Sequence, residues 1–548
     1  MPNKNNLLII TSALPYANGP LHFGHLLEHI QTDIWVRTNR ALNKECIYIC
    51  ASDAHGTPIM LKAEEENIQP EKLIEEITEI QKNSLINFNI KHDNYYTTHS
   101  EENRIFSELI FNSADKKGLI IRKKIKQLYD DSKGLFLADR YVQGECPKCG
   151  AKDQYGDNCE VCGATYEATE LLNPKSIFTG NKPSVKESEH LFFDVGSCSE
   201  NLKKWISDTN LQSAVENKIQ EWFVDGLKPW DISRDAPYFG FNIPGYEDKY
   251  FYVWLDAPIG YIASLENYLK KKNIDKDSRE LWGEQSDTEI YHFIGKDIMN
   301  FHTLFWPCML ETAGFKKPTN VFIHGFMTLN GKKMSKSKKN FLLVDDYLQV
   351  LQPDFIRYYL ASKLSSGVDD LDMDLNDFQK KVNTDLIGKF INIASRSQGF
   401  LKKDSNMLSE VLDNEIIDEF INEKDNIFNL FTAREYSKAL KEIMLLADKA
   451  NQYIDLNKPW ELNKEEVNSI EVKKIASTAI NLFRILNLYL EPVIPETSEK
   501  IKNYLKSNQS LDDLTNNLVN HQLEIFKPLL LRIEDSEIAK LAEISQNG

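Results

Sequence analysis

No apolar run in this sequence is long enough to cross a bilayer, and the N-terminal stretch "LLII" is too short even for a secretory signal core. The expectation is a cytoplasmic protein with no membrane partner. Positive charge is also in short supply. Against 82 Asp and Glu stand 65 Lys and Arg, a formal net charge of −17. Nonspecific nucleic-acid affinity rests on cation–phosphate contacts, so a general polyanion binder is disfavoured and no DNA partner is expected. A local basic patch still admits an RNA partner, while the acidic remainder repels wrong docking. Internal repeats and extended low-complexity tracts are missing, which removes solenoids and long disordered linkers from consideration. Cysteine is scarce, at eight in 548 residues, and a long cytosolic chain is not built on disulfides.

What is present is more specific. A chain of this length exceeds one hydrophobic core, so three or four domains or sub-domains are expected. "LLIITSA" (7–13) and "IYICASD" (47–53) read as buried strands, with Leu27, Ile30, Ile34 and Ala41 near helical spacing between them. Strand, helix, strand at this spacing is a βαβ unit of a parallel sheet. "IYHFIG" (290–295) and "VFIHG" (321–325) read as later strands of the same sheet. Residues 117–230 interrupt the alternation and read as an insertion. From about residue 386 the pattern becomes helical: Tyr436, Leu440, Ile443, Ala447, Ala450 and Ile454 line one face, and a second apolar helix runs from Val472 to Leu490. Pro492 and Pro495 follow it, as expected past a helix end. The fold class is α/β, with a Rossmann-like parallel-sheet catalytic domain, an inserted connective domain and an all-α helix bundle.

The insertion carries "CPKCGAKDQYGDNCEVCG", in which Cys146, Cys149, Cys159 and Cys162 form two C-x2-C pairs. Gly150 and Gly163 free the two turns. Four thiolates suit tetrahedral zinc and leave no open position for water, so the metal is structural, one per chain. Iron fits the same ligands, and zinc is the preferred reading.

Two further motifs handle phosphate. In "ALPYANGPLHFGHLLEHI", His22 and His25 flank Gly24 at the start of a helix that follows a parallel strand. Helix N-termini favour anions, and imidazole N–H groups can stabilise phosphate charge in a transition state. Alone, H-x-x-H is more often a surface or metal-binding pair. In "GKKMSKSKK", Gly331 allows a bend and five lysines follow within eight residues. Flexible ammonium groups suit a migrating charge such as departing pyrophosphate. Alone, that run reads as a solvated basic face; together the two motifs are far more specific.

"HFGH" and "KMSKS" (333–337) resemble the two signatures of the class I aminoacyl-tRNA synthetases. "SALPYANGPLHFGH", the cysteine knuckle and "NKPW" make the chain similar to the methionyl-tRNA synthetase family over nearly its whole length. Phe23 departs from the Ile or Leu of many members, and an inward-packed ring there leaves the histidines unaffected. The resemblance implies activation of methionine with ATP and transfer to tRNA(Met), initiator tRNA included. It implies that His22, His25, Lys333 and Lys336 are catalytic, with Gly24 beneath the adenine, and that magnesium enters with ATP. It carries the methionine pocket onto Ala13, Leu14, Tyr16, Asp53, Trp254, Ala257, Pro258, Tyr261 and His302. Asp53 would take the substrate ammonium, and the aromatic rings would line a slot for the thioether. Taken alone, "YVWLDAPIGY" reads as ordinary core. Arg234 is a further candidate, for phosphate. Anticodon contacts fall to Asn392, Arg396 and Trp460, the last of which also reads as a bundle-core residue.

The implied division is 1–116 and 231–325 for the two catalytic halves, 117–230 for the zinc-knuckle insertion, 326–385 for a stem-contact region with the lysine loop, and 386–548 for the anticodon-binding helices. No extra tRNA-binding domain follows "LLLRIED", so a monomer is expected. Two rivals stand beside this reading. Another class I synthetase would need a large editing insertion or a catalytic-site zinc, and a tRNA-binding relative without activity has no reason to retain His22, His25 and Lys336.

Overall fold

The computed structural model describes residues 6–547 except 157, 160 and 334–341. Strand β1 (Leu8–Ser12) is buried at every position. It leads through an extended loop into helix α1 (Phe23–Ala41), which returns to β2 (Cys46–Ser52). Strand β3 (Asn94–Thr97) then pairs with β2. Such continuous apolar runs are what strands covered on both faces require, and this sheet is parallel throughout.

The chain then leaves the sheet. Strands β4 (Ile120–Asp130) and β5 (Ser184–Phe193) form a long antiparallel arm that carries the cysteine knuckle between them. Helix α2 (Ile259–Lys272) packs on β2 and β3, and β6 (Glu289–Gly295) and β7 (Asn320–His324) complete the sheet. The strand order is β7-β6-β1-β2-β3. Strand order therefore reverses between β1 and β6, and ligands of open α/β sheets bind at the carboxyl ends of strands beside such a switch point.

Helices α3 (Pro353–Lys363), α4 (Tyr436–Asn457) and α5 (Ser469–Leu490) belong to the C-terminal helical domain and its junction with the sheet. Every residue the sequence placed on the first bundle stripe is buried along α4. Helix α1 is buried on almost all sides, since the helical domain covers the face opposite the sheet. Trp35 Nε1 donates to the Thr432 carbonyl at 3.0 Å, and the Tyr436 hydroxyl donates to Gln31 O at 2.9 Å. Arg357 on α3 lies at the centre of this junction and is fully buried. Its guanidinium donates to Asp33 Oδ2 on α1 at 2.7 Å, to Phe88 O at 3.2 Å, and to Pro492 O and Val493 O at 3.0 and 2.9 Å. Among the described residues, no helix is long and apolar enough to cross a membrane.

Candidate active site

The site begins where β1 ends. Ala13 and Leu14 leave the sheet, and Ala13 N still donates to Phe293 O at 3.0 Å, so the segment is held at the carboxyl edge. The loop closes on α1 through its own signature histidines. His22 is the N-cap residue; its Nδ1 accepts from Gly24 N at 3.0 Å, and His25 Nδ1 accepts from His22 N at 3.3 Å. This reciprocal pairing is a capping box built from imidazoles. The rings stack at 3.8 Å between centroids. With both Nδ1 atoms accepting, the hydrogen-bond network assigns the ring protons to Nε2. Burial, with His22 beside it, lowers the His25 pKa to about 3, so its ring is neutral at physiological pH. A Cβ on residue 24 would lie 2.8 Å from His22 Cε1, so only glycine leaves that ring in place. Phe23 points inward and meets Tyr347 edge-on at 5.8 Å.

Two adjoining cavities open here. One, of about 300 Å³, is lined by Tyr16, His22, Gly24, His25, Glu28 and His324, among others. The second, of about 140 Å³, is lined by Ala13, Leu14, Asp53, Trp254, Ala257, Pro258, Tyr261 and His302. A cavity of that size takes one benzene-sized apolar group. Tyr16 stands at the junction, bridged to Asp53 through the backbone. In the smaller cavity, His302 Nδ1 donates to Ile298 O at 3.1 Å. Its Nε2 then accepts from the Tyr261 hydroxyl at 2.9 Å. Burial lowers His302 to about 4, so this wall carries no charge. Residues 301–305, His302 included, form a π-helical turn, a feature that often marks functional sites.

Asp53 is the polar exception. Burial raises its carboxyl well above the usual range, and nearby Asp256 raises it further. Its Oδ1 is buried with no hydrogen-bond partner. Asp256 is likewise raised by burial, partly offset by His55, whose Nδ1 is bonded to Asp256 Oδ2. His55 Nε2 in turn meets His99 Nδ1 at 2.9 Å. An unpaired buried carboxylate is costly, so burial favours the protonated form of Asp53.

The remaining sequence candidates lie elsewhere. Arg234 is half-buried; it donates to Asp231 at 3.1 Å and to Ser233 O at 2.6 Å, and stacks on Tyr252 at 3.5 Å. Its guanidinium is thus engaged by the protein itself. Lys333 closes a two-residue strand against Thr328, and Lys336 falls outside the described residues. In the helical domain, Asn392 Nδ2 and Arg396 Nη1 donate to the same Asn451 Oδ1, at 3.2 and 3.3 Å. The Arg396 guanidinium lies 5.6 Å from the Trp460 ring, which is 42 % exposed and so is not a core residue.

The four cysteines converge on one point, with all sulfurs within 4.8 Å of one another. Cys146 and Cys162 are 3.8 Å apart, and Cys149 and Cys159 are 3.6 Å apart. Two sulfurs on one tetrahedral zinc, each about 2.3 Å from the metal, are separated by about 3.8 Å. Backbone N–H groups of Lys148 and Cys149 point at Cys146 Sγ, and that of Cys162 points at Cys159 Sγ. The residues fit a structural zinc.

Residues 8–398 match the family model described as tRNA synthetases class I (M). The chain belongs to the class I methionyl-tRNA synthetases. Its reaction is therefore ATP-dependent ligation of methionine to tRNA. Residues 408–543 match the anticodon binding domain of methionyl tRNA ligase, a span that holds Trp460 but not Asn392 or Arg396. The synthetase also resembles solved structures. One is Mycobacterium tuberculosis methionyl-tRNA synthetase in complex with methionyl-adenylate, with a TM-score of 0.79, 22 % identity, and coverage of 96 % of this chain and 99 % of that one. Another is the apo form of the mycobacterial enzyme, at 0.72 and 21 %, covering 97 % and 99 %. At these identities the likeness is one of fold.

Sequence reasoning missed several residues of this synthetase's site. Asp297, Asn300 and Phe301 line the smaller cavity. A signal for them existed, since "GKDIMNF" directly follows β6 at the edge where ligands gather. Asp256 and His55 carried no comparable signal.

Proposed function

We propose that this synthetase activates methionine as methionyl-adenylate in the two adjoining cavities and then esterifies the terminal adenosine of tRNA(Met), initiator tRNA included. One observation carries the reading: a buried Asp53 oxygen without a partner, in an aromatic-lined cavity whose His302 wall is neutral, beside the histidine-capped start of α1. Asp53 receives the substrate ammonium, and Trp254, Pro258 and Tyr261 flank the thioether. Ala13, Leu14, Ala257 and His302 close the slot, and Tyr16 separates it from the nucleotide.

The larger cavity takes ATP, with Gly24 under the base. His22 and His25 present neutral Nε2–H donors to the α-phosphate as charge builds during in-line attack by the substrate carboxylate. Lys336, assisted by Lys333, meets the leaving pyrophosphate. Magnesium travels with the ATP phosphates rather than in a dedicated protein cage. Zinc on Cys146, Cys149, Cys159 and Cys162 holds the arm of the 117–230 insertion rigid. Residues 386–548 read the anticodon, with Trp460 stacking on an unpaired base and Asn392 and Arg396 bonding to base edges. The synthetase works as a cytoplasmic monomer. An apolar slot separates near-isosteres poorly, so homocysteine competes.

The test is amino-acid-dependent exchange of pyrophosphate into ATP, run with each of the twenty amino acids. Methionine alone should support it, and His22→Ala or Lys336→Ala should abolish it in folded protein. Exchange with a different amino acid would discard the pocket assignment. Folded protein that binds tRNA yet gives no exchange would mark a relative without catalytic activity. Trp460→Ala should raise KM for tRNA in charging and leave exchange unchanged.

A further inference from the structure

We infer that His29, Cys50 and His92 form a second metal site, distinct from the cysteine knuckle, that takes one zinc ion or another borderline-soft divalent cation. The three residues come from separate elements: His29 from α1, Cys50 from β2, and His92 from the turn ahead of β3. One ligand atom from each lies within 4.8 Å of the other two. His29 Nδ1 and His92 Nε2 are 3.3 Å apart. Two nitrogens on one tetrahedral zinc, each 2.0–2.1 Å from the metal, are separated by about 3.3 Å.

A plain hydrogen bond between two imidazoles accounts for that one distance. It does not account for the rest of the cluster. His29 is buried, and its Nδ1 faces both His92 Nε2 and the Tyr48 hydroxyl, each at 3.3 Å. The Cys50 thiol converges on the same space and is fully buried.

The surroundings supply what a metal site needs. The Tyr48 hydroxyl lies 3.3 Å from His29 Nδ1 and is itself tied to Ser12 Oγ at 2.6 Å. It stands ready as an outer partner or fourth ligand. On binding, the Cys50 S–H bond breaks, the thiolate joins the metal, and the proton goes to solvent. Entry is through His92, which is only partly buried and lines an open cleft of about 760 Å³ between α1, β3 and α2. The donor set of two imidazoles and one thiolate selects zinc or a similar ion over magnesium or calcium.

The test counts metal on the full-length chain. Wild type, His92→Phe and Cys50→Ser are equilibrated with micromolar free zinc and desalted, and zinc is measured by elemental mass spectrometry. Wild type should hold two ions per chain and each variant one, with unchanged far-UV circular dichroism. His92→Gln replaces His92→Phe if the bulky ring disturbs folding. Cobalt substitution gives a second readout: the ion lost in the variants should have fewer thiolate-to-cobalt charge-transfer bands than the one retained. One zinc per chain in the wild type overturns the proposal. So do two zincs retained in the folded variants.

Discussion

At the scale of single residues, the site separates charge from neutrality. His25 and His302 are neutral by burial, whereas the Asp53 carboxyl is raised by burial and by nearby Asp256. A carboxyl whose pKa is raised in the folded state holds its proton to higher pH than in the unfolded chain. The proton therefore stabilises the free enzyme, and that contribution disappears as pH rises through the elevated folded value. Docking an ammonium favours the anion, so methionine binding near neutral pH should release protons. Titration calorimetry in two buffers of different ionisation enthalpy will show it as a buffer-dependent heat. Asp53→Asn should abolish that difference and, with one buried acid removed, resist thermal unfolding better than wild type. For His25, loss of one aimed donor costs about 10²–10³ in rate. His25→Ala should lose that much pyrophosphate exchange, and His25→Gln should recover part of it because an amide N–H can replace the imidazole donor.

At the scale of elements, the first turn of α1 matters most. Its cap and the phosphate donors proposed for it are the same two rings, so a change in one disturbs the other. Gly24→Ala places a methyl 2.8 Å from His22 Cε1 and should displace that ring. The expected result is a fall in kcat of exchange with methionine affinity nearly kept, read from exchange kinetics beside methionine-induced tryptophan fluorescence. At the arm, removing zinc with a chelator should expose residues 146–163 to proteolysis and leave the parallel sheet intact by circular dichroism. Much of this level was legible in the sequence. Strands β1 and β2 are buried on both faces, which writes them as nearly unbroken apolar runs, and β6 and β7 keep enough buried positions to read the same way. Helix α4 shows its stripe because only one side packs. The cysteine spacing is local and so is readable. The relay of Asp256, His55 and His99 was not, because Asp256 and His55 are 201 residues apart and meet only through packing. The π-helical turn at 301–305 was equally hidden, since "FHTLF" has no feature that separates it from an ordinary buried helix.

At the scale of the whole molecule, the deciding contact is also one that sequence conceals. Asp33 and Arg357 are 324 residues apart, and each reads as an ordinary surface charge on an amphipathic helix. Burial alone would raise the Asp33 carboxyl, but Arg37 and Arg357 more than reverse this, and its pKa lies below the usual carboxylate value. A depressed carboxyl stabilises the fold at neutral pH and loses that contribution as pH falls through the folded value. The junction should therefore loosen in acid, below the ordinary carboxylate range. Removing one partner of a buried pair costs about 3–5 kcal/mol, because the other charge is left uncompensated. Arg357→Ala should lower the urea midpoint accordingly, whereas Arg357→Ala combined with Asp33→Asn should restore part of the loss.

Arg357 also ties four stretches of chain with one rigid planar group: α1, the turn after residue 87, α3, and the segment beyond α5. Such a knot leaves the joint little slack. With His22 and His25 on the phosphate and Trp460 on the anticodon, as proposed, the enzyme would act as a fixed gauge: an RNA whose two ends did not match that span would not be accommodated by bending at this joint, and shape would be checked alongside sequence.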